Sequence, residues 1–277
     1  MCQACSHALG RATGDPKHGG LQLFTVGHEI TVSPIPDSLP YEQAVVLPLA
    51  ISTAAAGLYQ KDFLALPYPT INAEPSGKTI LIWGGASSVG STAIQLAVSS
   101  GLEVISTASK RNLEYVKQLG AKHVIDYSEP TAVEDIVALL KGSEFTGAYD
   151  AISSPETLKA TVEIVNQLGG GKIATVLAAP AEGLPSNVTA IGGKKTILNS
   201  SLRANADINP VSAVSIAVEQ KEVGDAVWRK YVPGALASGH LLAKPDPLII
   251  KGGLPHVQEA LDTLKRGVSA AKVVVEL

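Results

Sequence analysis

Residues 81–97 read LIWGGASSVGSTAIQLA: an apolar run, a turn of glycine and serine, then a helical pattern, with no spacer between them. A strand that feeds a helix through so short a turn is half of a βαβ unit, and the alternation recurs downstream. Short β-branched runs predict strands over Thr79–Trp83, Glu103–Thr107, His123–Asp126, Gly147–Ile152 and Lys172–Leu177. Helical spacing between them predicts helices over Val89–Ser100, Leu113–Leu119, Ala132–Leu140 and Pro155–Leu168. In the first helix Val89, Ala93, Leu96, Ala97 and Ser100 share one face, and small residues there allow close packing on a sheet. Strands separated by helices of this length indicate the α/β class, with a doubly wound parallel sheet of the Rossmann type.

The turn runs Gly84-Gly85-Ala86-Ser87-Ser88-Val89-Gly90. On a GxGxxG template Gly85 is the first glycine, Ser87 replaces the second and Gly90 is the third. The first glycine permits the tight turn, and the third lets the helix lie close to the strand. The middle position must let backbone approach a pyrophosphate, which serine obstructs little. The helix start then offers unpaired N–H groups and partial positive charge to phosphate. A lone glycine pattern is weak, but here it follows a strand, opens a helix and heads a run of βαβ units, the context a dinucleotide site requires. A merely tight structural turn is the competing reading.

The next strand bears on the choice of cofactor. NAD sites usually carry an acid near the end of the second strand for the ribose 2′-hydroxyl. This chain gives EVISTASKRN, with no acid after Glu103 and with Ser109, Lys110 and Arg111 at the strand's end. Two cations and a hydroxyl suit a 2′-phosphate, so NADPH is expected over NADH. A solvated basic turn opening a helix is the alternative at this point.

The flanks read differently. LQLFTVGHEITVSPIPDSLP, residues 21–40, alternates like antiparallel strand material ending in a proline-bounded loop. YEQAVVLPLAISTAAAGLY predicts helix interrupted near Pro48. LPHVQEALDTLKRG predicts a helix and AKVVVEL a terminal strand. A net charge of −3 without blocks of like charge argues against a nucleic-acid binder. No uninterrupted apolar stretch is long enough to span a bilayer, and the first twenty residues lack the apolar core of a signal peptide, so a cytoplasmic protein is expected. Cys2 and Cys5 form a CxxC pair with His7 and His18 nearby, but no second pair follows, and thiols near a terminus are favoured over a metal site.

IPDSLPYEQAVVLPLAISTAAAGLY, GKTILIWGGASSVGSTAIQLA, KQLGAKHVIDY and GLPHVQEALDTLKRGVSAAKVVV together resemble the medium-chain dehydrogenase/reductase superfamily. The likeness is to its zinc-free branch of quinone oxidoreductases and trans-acting enoyl reductases, and within it to the fungal CipB-like proteins; it covers the chain from about Gly19. It implies three regions: residues 1–42 as a remnant of a GroES-like β-domain, 43–241 as the NADP-binding Rossmann domain, and 242–277 as a return segment. On this likeness the chain is expected to be N-terminally truncated.

The resemblance also implies roles. Ser52 and Thr53 match a segment bordering the nicotinamide, and Ser87, Ser88 and Val89 the pyrophosphate loop. Ser109, Lys110 and Arg111 match the 2′-phosphate pocket, which Tyr127 helps to close. Ile152 and Ser153 fall near the adenosine ribose, Leu177 to Ala179 (Ala178 among them) near the nicotinamide, and Lys272 where a basic residue approaches the cofactor. The ligand set of the zinc-dependent relatives is missing, so no metal is expected. The implied activity is hydride transfer from NADPH to an activated C=C of an enone or enoyl thioester, or to a quinone. No catalytic proton donor is assigned. A catalytically idle NADPH-binding protein and a scaffold partner are the alternatives, with KKTILNSSLRA (194–204) an edge-strand candidate for a homodimer contact.

Overall fold

The computed structural model describes residues 4–6, 16–19, 24–180, 182–192, 216–217 and 219–277. Before the main sheet, β1 (Ala4–Ser6) and β2 (Val32–Pro34) pair antiparallel, with Cys5 opposite Ser33. The strand material expected over 21–40 reduces to β2 among the described residues, preceded by a 3₁₀ turn over Glu29–Thr31. Prolines 34, 36 and 40 explain the shortening, since each lacks the N–H that a ladder needs. His18 is buried here and stacks on His28, ring centroids 5.4 Å apart. Cys2, His7 and the stretch 194–204 lie outside the described residues.

Helix α1 (Tyr41–Ala44) and helix α2 (Pro48–Tyr59) follow, with Pro48 in the first turn of α2, where its missing N–H costs nothing. The six-stranded sheet then comprises β3 (Lys78–Trp83), β4 (Glu103–Ala108), β5 (His123–Asp126), β6 (Glu144–Asp150), β7 (Gly171–Thr175) and β8 (Val188–Ile191). Its order is β5-β4-β3-β6-β7-β8, and every pairing is parallel. This is the doubly wound Rossmann arrangement, whose strand order reverses on either side of β3. The intervening helices are α3 (Ser88–Val98), α4 (Leu113–Gln118), α5 (Ala132–Leu140) and α6 (Pro155–Gln167).

Strand β3 shows why the sheet must be covered on both faces. Ile80 and Ile82 join a cluster with Leu96, Val104, Val116 and Trp228, whereas Leu81 and Trp83 join Ile136, Leu140, Ile164 and Ile173. An alternating strand with both sides apolar has no solvent face, as expected of parallel sheets. The run STAAAG in α2 is small because α2 packs on α3 and on Tyr149; a side chain at Gly57 would strike the Tyr149 ring.

The sequence boundaries of β6 and β7 ran past the true ends for a local reason. Asp150 Oδ1 accepts hydrogen bonds from the N–H groups of Ile152 (3.0 Å) and Ser153 (2.8 Å), which turns the chain out of the sheet at Asp150. Thr175 does the same for β7 by donating to the Leu177 carbonyl at 2.7 Å. The four-residue β8 was not anticipated.

The chain continues through α7 (Lys221–Gly224), a π-helical stretch over Asp225–Tyr231, α8 (Val232–Ser238), β9 (Asp246–Ile250), α9 (Val257–Arg266) and β10 (Ala271–Val275). β9 and β10 form a separate parallel pair. Gln95 on α3 ties this region to the main sheet, accepting from the Leu242 N–H (2.7 Å) and donating to the Leu242 carbonyl (3.2 Å). No described helix is long and apolar enough to cross a membrane.

Candidate dinucleotide site

At the carboxyl end of β3 the glycine-serine turn has the form a phosphate loop needs. Gly84 adopts φ +81°, a left-handed conformation, and donates its N–H to Thr107 Oγ1 at 3.0 Å. Gly85 donates to the Thr107 carbonyl at 2.8 Å, so the loop is pinned to β4. A side chain at Gly90 would collide with the Gly84 carbonyl, so the helix lies against the loop only because position 90 has none. Ser87 is the N-cap of α3: its Oγ accepts from the Gly90 N–H at 3.0 Å, worth about 1 kcal/mol of helix stability. Beneath the loop, Ser91 donates to the Gly85 carbonyl (3.1 Å) and pairs with the Tyr115 hydroxyl (2.8 Å). Burial pushes Tyr115 up to about 12, so it stays protonated.

Lys272, on β10, reaches across to the same helix start and donates to Ser88 Oγ at 3.2 Å. Burial lowers its pKa, and among the described residues it makes no ion pair with a carboxylate. A cation held at the positive end of a helix without a counter-ion is unfavourable twice over. An anion placed between Lys272 and the first turn of α3 resolves both costs.

At the end of β4, Ser109 precedes a 3₁₀ turn over Lys110–Asn112 without a capping bond from its hydroxyl. Lys110 and Arg111 are both exposed, and neither forms an ion pair among the described residues, although the charge of Lys110 acts on Asp126. The Asp126 carboxyl is held below its ordinary value, first by hydrogen bonds from Ser128 and then by Lys110. Of the two cations, Arg111 is the one that lines the adjoining cavity. Asn112 donates to Ser109 Oγ (3.1 Å) and to Ser269 Oγ (3.0 Å), tying this turn to the segment before β10.

These elements surround a cavity of about 650 Å³. Of the sequence-expected residues, Ser87, Ser109, Arg111, Tyr127 and Ile152 line it, together with Gly84. Gly85, Ser88, Val89, Gly90 and Lys110 lie in the adjoining turns without lining it, and Lys272 bonds to one of them. The remainder are elsewhere. Ser153, with φ +59°, spends its hydroxyl on the Asp150 carbonyl (3.0 Å) and the Val176 N–H (2.9 Å). Buried Ser52 accepts from the Trp228 indole at 3.2 Å, and the Thr53 carbonyl accepts from Tyr149 at 2.9 Å. Leu177 and Ala178 are exposed beyond β7. None of these last five lines the cavity.

The sequence reading missed Trp83, Glu129, Glu156, Asn112 and Ser269, all on the cavity wall. Asn112 follows the basic turn directly, and its polar side chain at a helix start was a usable signal. Ser269, 157 positions further on, gave none. Asp150 is fully buried, and burial raises its pKa against the opposing hydrogen bonds from Ser153, Ile152 and Thr157. Among the described residues no group of three or more His, Cys, Asp or Glu side chains comes together as a metal site.

Residues 88–216 match the zinc-binding dehydrogenase family. The chain is 44% identical over 260 residues to the trans-enoyl reductase himH of Aspergillus japonicus, covering 94% of this chain and 69% of that protein. It is 35% identical over 271 residues to the zinc-binding alcohol dehydrogenase domain-containing protein cipB of Emericella nidulans, covering 98% and 71%. Among solved structures, an alcohol dehydrogenase superfamily protein from Novosphingobium aromaticivorans has the same fold, with a TM-score of 0.68 at 24% identity over 93% of this chain and 71% of that one. Identity of the first size across nearly the whole sequence carries membership with it, and this chain belongs to the medium-chain dehydrogenase/reductase superfamily of oxidoreductases.

Proposed function

We propose that this chain is an NADPH-dependent reductase of an activated C=C, in an enone or enoyl thioester, or of a quinone. The observation that carries the cofactor half of the reading is the end of β4. It has no carboxylate, and it presents Ser109 and Arg111 to the cavity with Arg111 unpaired among the described residues. The match to a trans-enoyl reductase supports the substrate half. Residues 43–241 are the nucleotide-binding unit in this reading, with 1–42 and 242–277 belonging to the substrate-side lobe.

The residues present fit the dinucleotide. Gly84, Gly85 and Gly90 hold the turn tight against Ile152, Ser106 and the Gly84 carbonyl, the first turn of α3 supplies donors for a pyrophosphate, and Lys272 supplies the charge. Ser109 and Arg111 suit a 2′-phosphate, and Glu129 and Glu156 provide acceptors for the amino and hydroxyl groups of a nucleoside. When bound, the nicotinamide supplies the hydride. The chain's own part is to fix the dinucleotide along the carboxyl ends of β3 and β4 and to hold its charges out of water.

Titration of intrinsic fluorescence with NADPH and NADH, followed by NADPH oxidation with a panel of enones, enoyl thioesters and quinones, tests the reading. NADPH is expected to bind more tightly, and Arg111→Ala to weaken NADPH by about ten- to a hundredfold, the loss of one charge-assisted contact, with little change for NADH. Tighter binding of NADH, or no turnover of any panel member, overturns it.

A further inference from the structure

The side-chain amide of Asn112 bridges two hydroxyls that belong to distant parts of the chain. Its Nδ2 donates to Ser109 Oγ at 3.1 Å and to Ser269 Oγ at 3.0 Å, and all three residues line the cavity beside Arg111. A serine oxygen has two lone pairs and one hydrogen. An oxygen that already accepts from an amide keeps its hydrogen to give. One amide therefore sets both hydroxyls as donors, next to a guanidinium that has no carboxylate partner among the described residues. Donors gathered around a cation select a phosphate dianion over a ribose hydroxyl, because a phosphate offers only acceptors at neutral pH.

We propose that Asn112 is the positioning residue for recognition of the cofactor's 2′-phosphate, and that Ser269 is a ligand of that phosphate alongside Ser109 and Arg111. The inference rests on the NADPH reading above and adds to it a residue from the segment between α9 and β10. That segment is built into the cavity wall. Val268, Ser269 and Ala270 all line the cavity, and Ala270 adopts φ +46°, an uncommon conformation for a residue with a side chain. The phosphate site is thus completed by residues 268–270 and does not reside wholly in the turn after β4.

Replacing Asn112 by aspartate tests the sense of the bridge with almost no change of shape. A carboxylate accepts from both hydroxyls, turns their hydrogens away from the cavity and adds a negative charge, which repels a 2′-phosphate and suits a 2′-hydroxyl. Dissociation constants for NADPH and NADH are measured on the parent, Asn112→Asp, Asn112→Ala and Ser269→Ala, with circular dichroism as the folding control. The parent's NADPH preference is expected to fall at least tenfold in Asn112→Asp and by less in Asn112→Ala. Ser269→Ala should weaken NADPH several-fold and leave NADH alone. Calorimetry with adenosine 2′,5′-bisphosphate and 5′-AMP should reproduce the Ser269→Ala difference on the phosphate alone. Because Ser269 is exposed, its variant carries the test if an Asn112 variant fails to fold.

Equal weakening of both cofactors in the Asn112 variants, or an unchanged ratio in Ser269→Ala, overturns the inference and leaves the NADPH reading intact. A parent that binds NADH as tightly as NADPH overturns both.

Discussion

Lys272→Met separates a cofactor ligand from a structural cation, because the two roles predict opposite effects on the protein without cofactor. Lys272 donates to Ser88 Oγ at 3.2 Å and has no carboxylate partner among the described residues, at the end of a helix that carries partial positive charge. Methionine keeps the length and apolar stem of the side chain and removes the charge. A cation near a helix N-terminus costs about 0.3–1 kcal/mol, so without cofactor the variant should be as stable as the parent or more so by up to about 1 kcal/mol. In a chain of this size that is a rise of a few degrees at most, roughly 2–4 °C. A charge-assisted hydrogen bond contributes about 1.5–3 kcal/mol, so NADPH should bind about ten- to 150-fold more weakly.

The pH dependence gives a further readout of the same lysine. Its folded pKa is depressed by burial, below the ordinary lysine value of about 10.4. The cost of burying the charge is fully present below the folded value and is relieved as pH rises through it toward the ordinary one. Stability of the cofactor-free parent should therefore gain from this group across that alkaline window, and the variant should lack the gain. Affinity for NADPH should run the other way, falling across the window in the parent and staying flatter in Lys272→Met. Thermal unfolding and fluorescence titration over the window read both. A variant that binds NADPH as tightly as the parent, or that loses stability and binding together, refutes the reasoning.

Gly90→Ala places a methyl against the Gly84 carbonyl; urea denaturation should show a loss of about 1–3 kcal/mol, the usual cost of overpacking, with cofactor binding abolished in the protein that remains folded. Asp150→Asn should stay within about 1 kcal/mol of the parent at neutral pH, since an amide oxygen can still accept from Ile152 and Ser153 and its nitrogen can donate to Thr157. Asp150 has a raised folded pKa, so it contributes stability below the ordinary aspartate value of about 3.9 that is lost as pH rises through the folded one. Denaturation midpoints across the acid range should show that component in the parent and not in Asp150→Asn.

What could be read in the sequence followed the range of the interactions involved. The βαβ alternation is written in local periodicity, and so were all the strands from β3 to β7. Where their ends were misjudged, side chains decided: Asp150 and Thr175 capture nearby main-chain groups and stop strands that hydrophobicity would have continued. The tight turn between β3 and α3 was legible because Gly85, Ser87 and Gly90 act within a few residues of one another. Ser109 and Arg111 line the cavity, but that Lys110 does not, and that its charge acts on Asp126 of the neighbouring strand, could be seen only in the fold. The resemblance pointed to Lys272, whereas its Ser88 partner 184 positions away could come only from the fold. Ser269 was invisible because a serine in a short loop carries no pattern. Over 21–40 a pattern was present and misleading, since alternation says nothing about the prolines that break a ladder.

The distance between Asn112 and Ser269 along the chain, 157 residues, also sets an order of events during synthesis. At about 5–20 residues per second, the turn after β4 leaves the ribosome roughly eight to thirty seconds before the segment that bonds to it at the cavity wall. The early βαβ units can gather during that interval, but they lack Ser269 and the Lys272 charge. On the NADPH reading, the contributions of Ser269 and Lys272 are late properties of the nascent chain, added to that of Arg111 only when β10 has been made. On that reading, a ribosome-bound chain arrested before residue 268 should therefore bind NADPH more weakly than the released chain while keeping the part of the preference that Arg111 supplies.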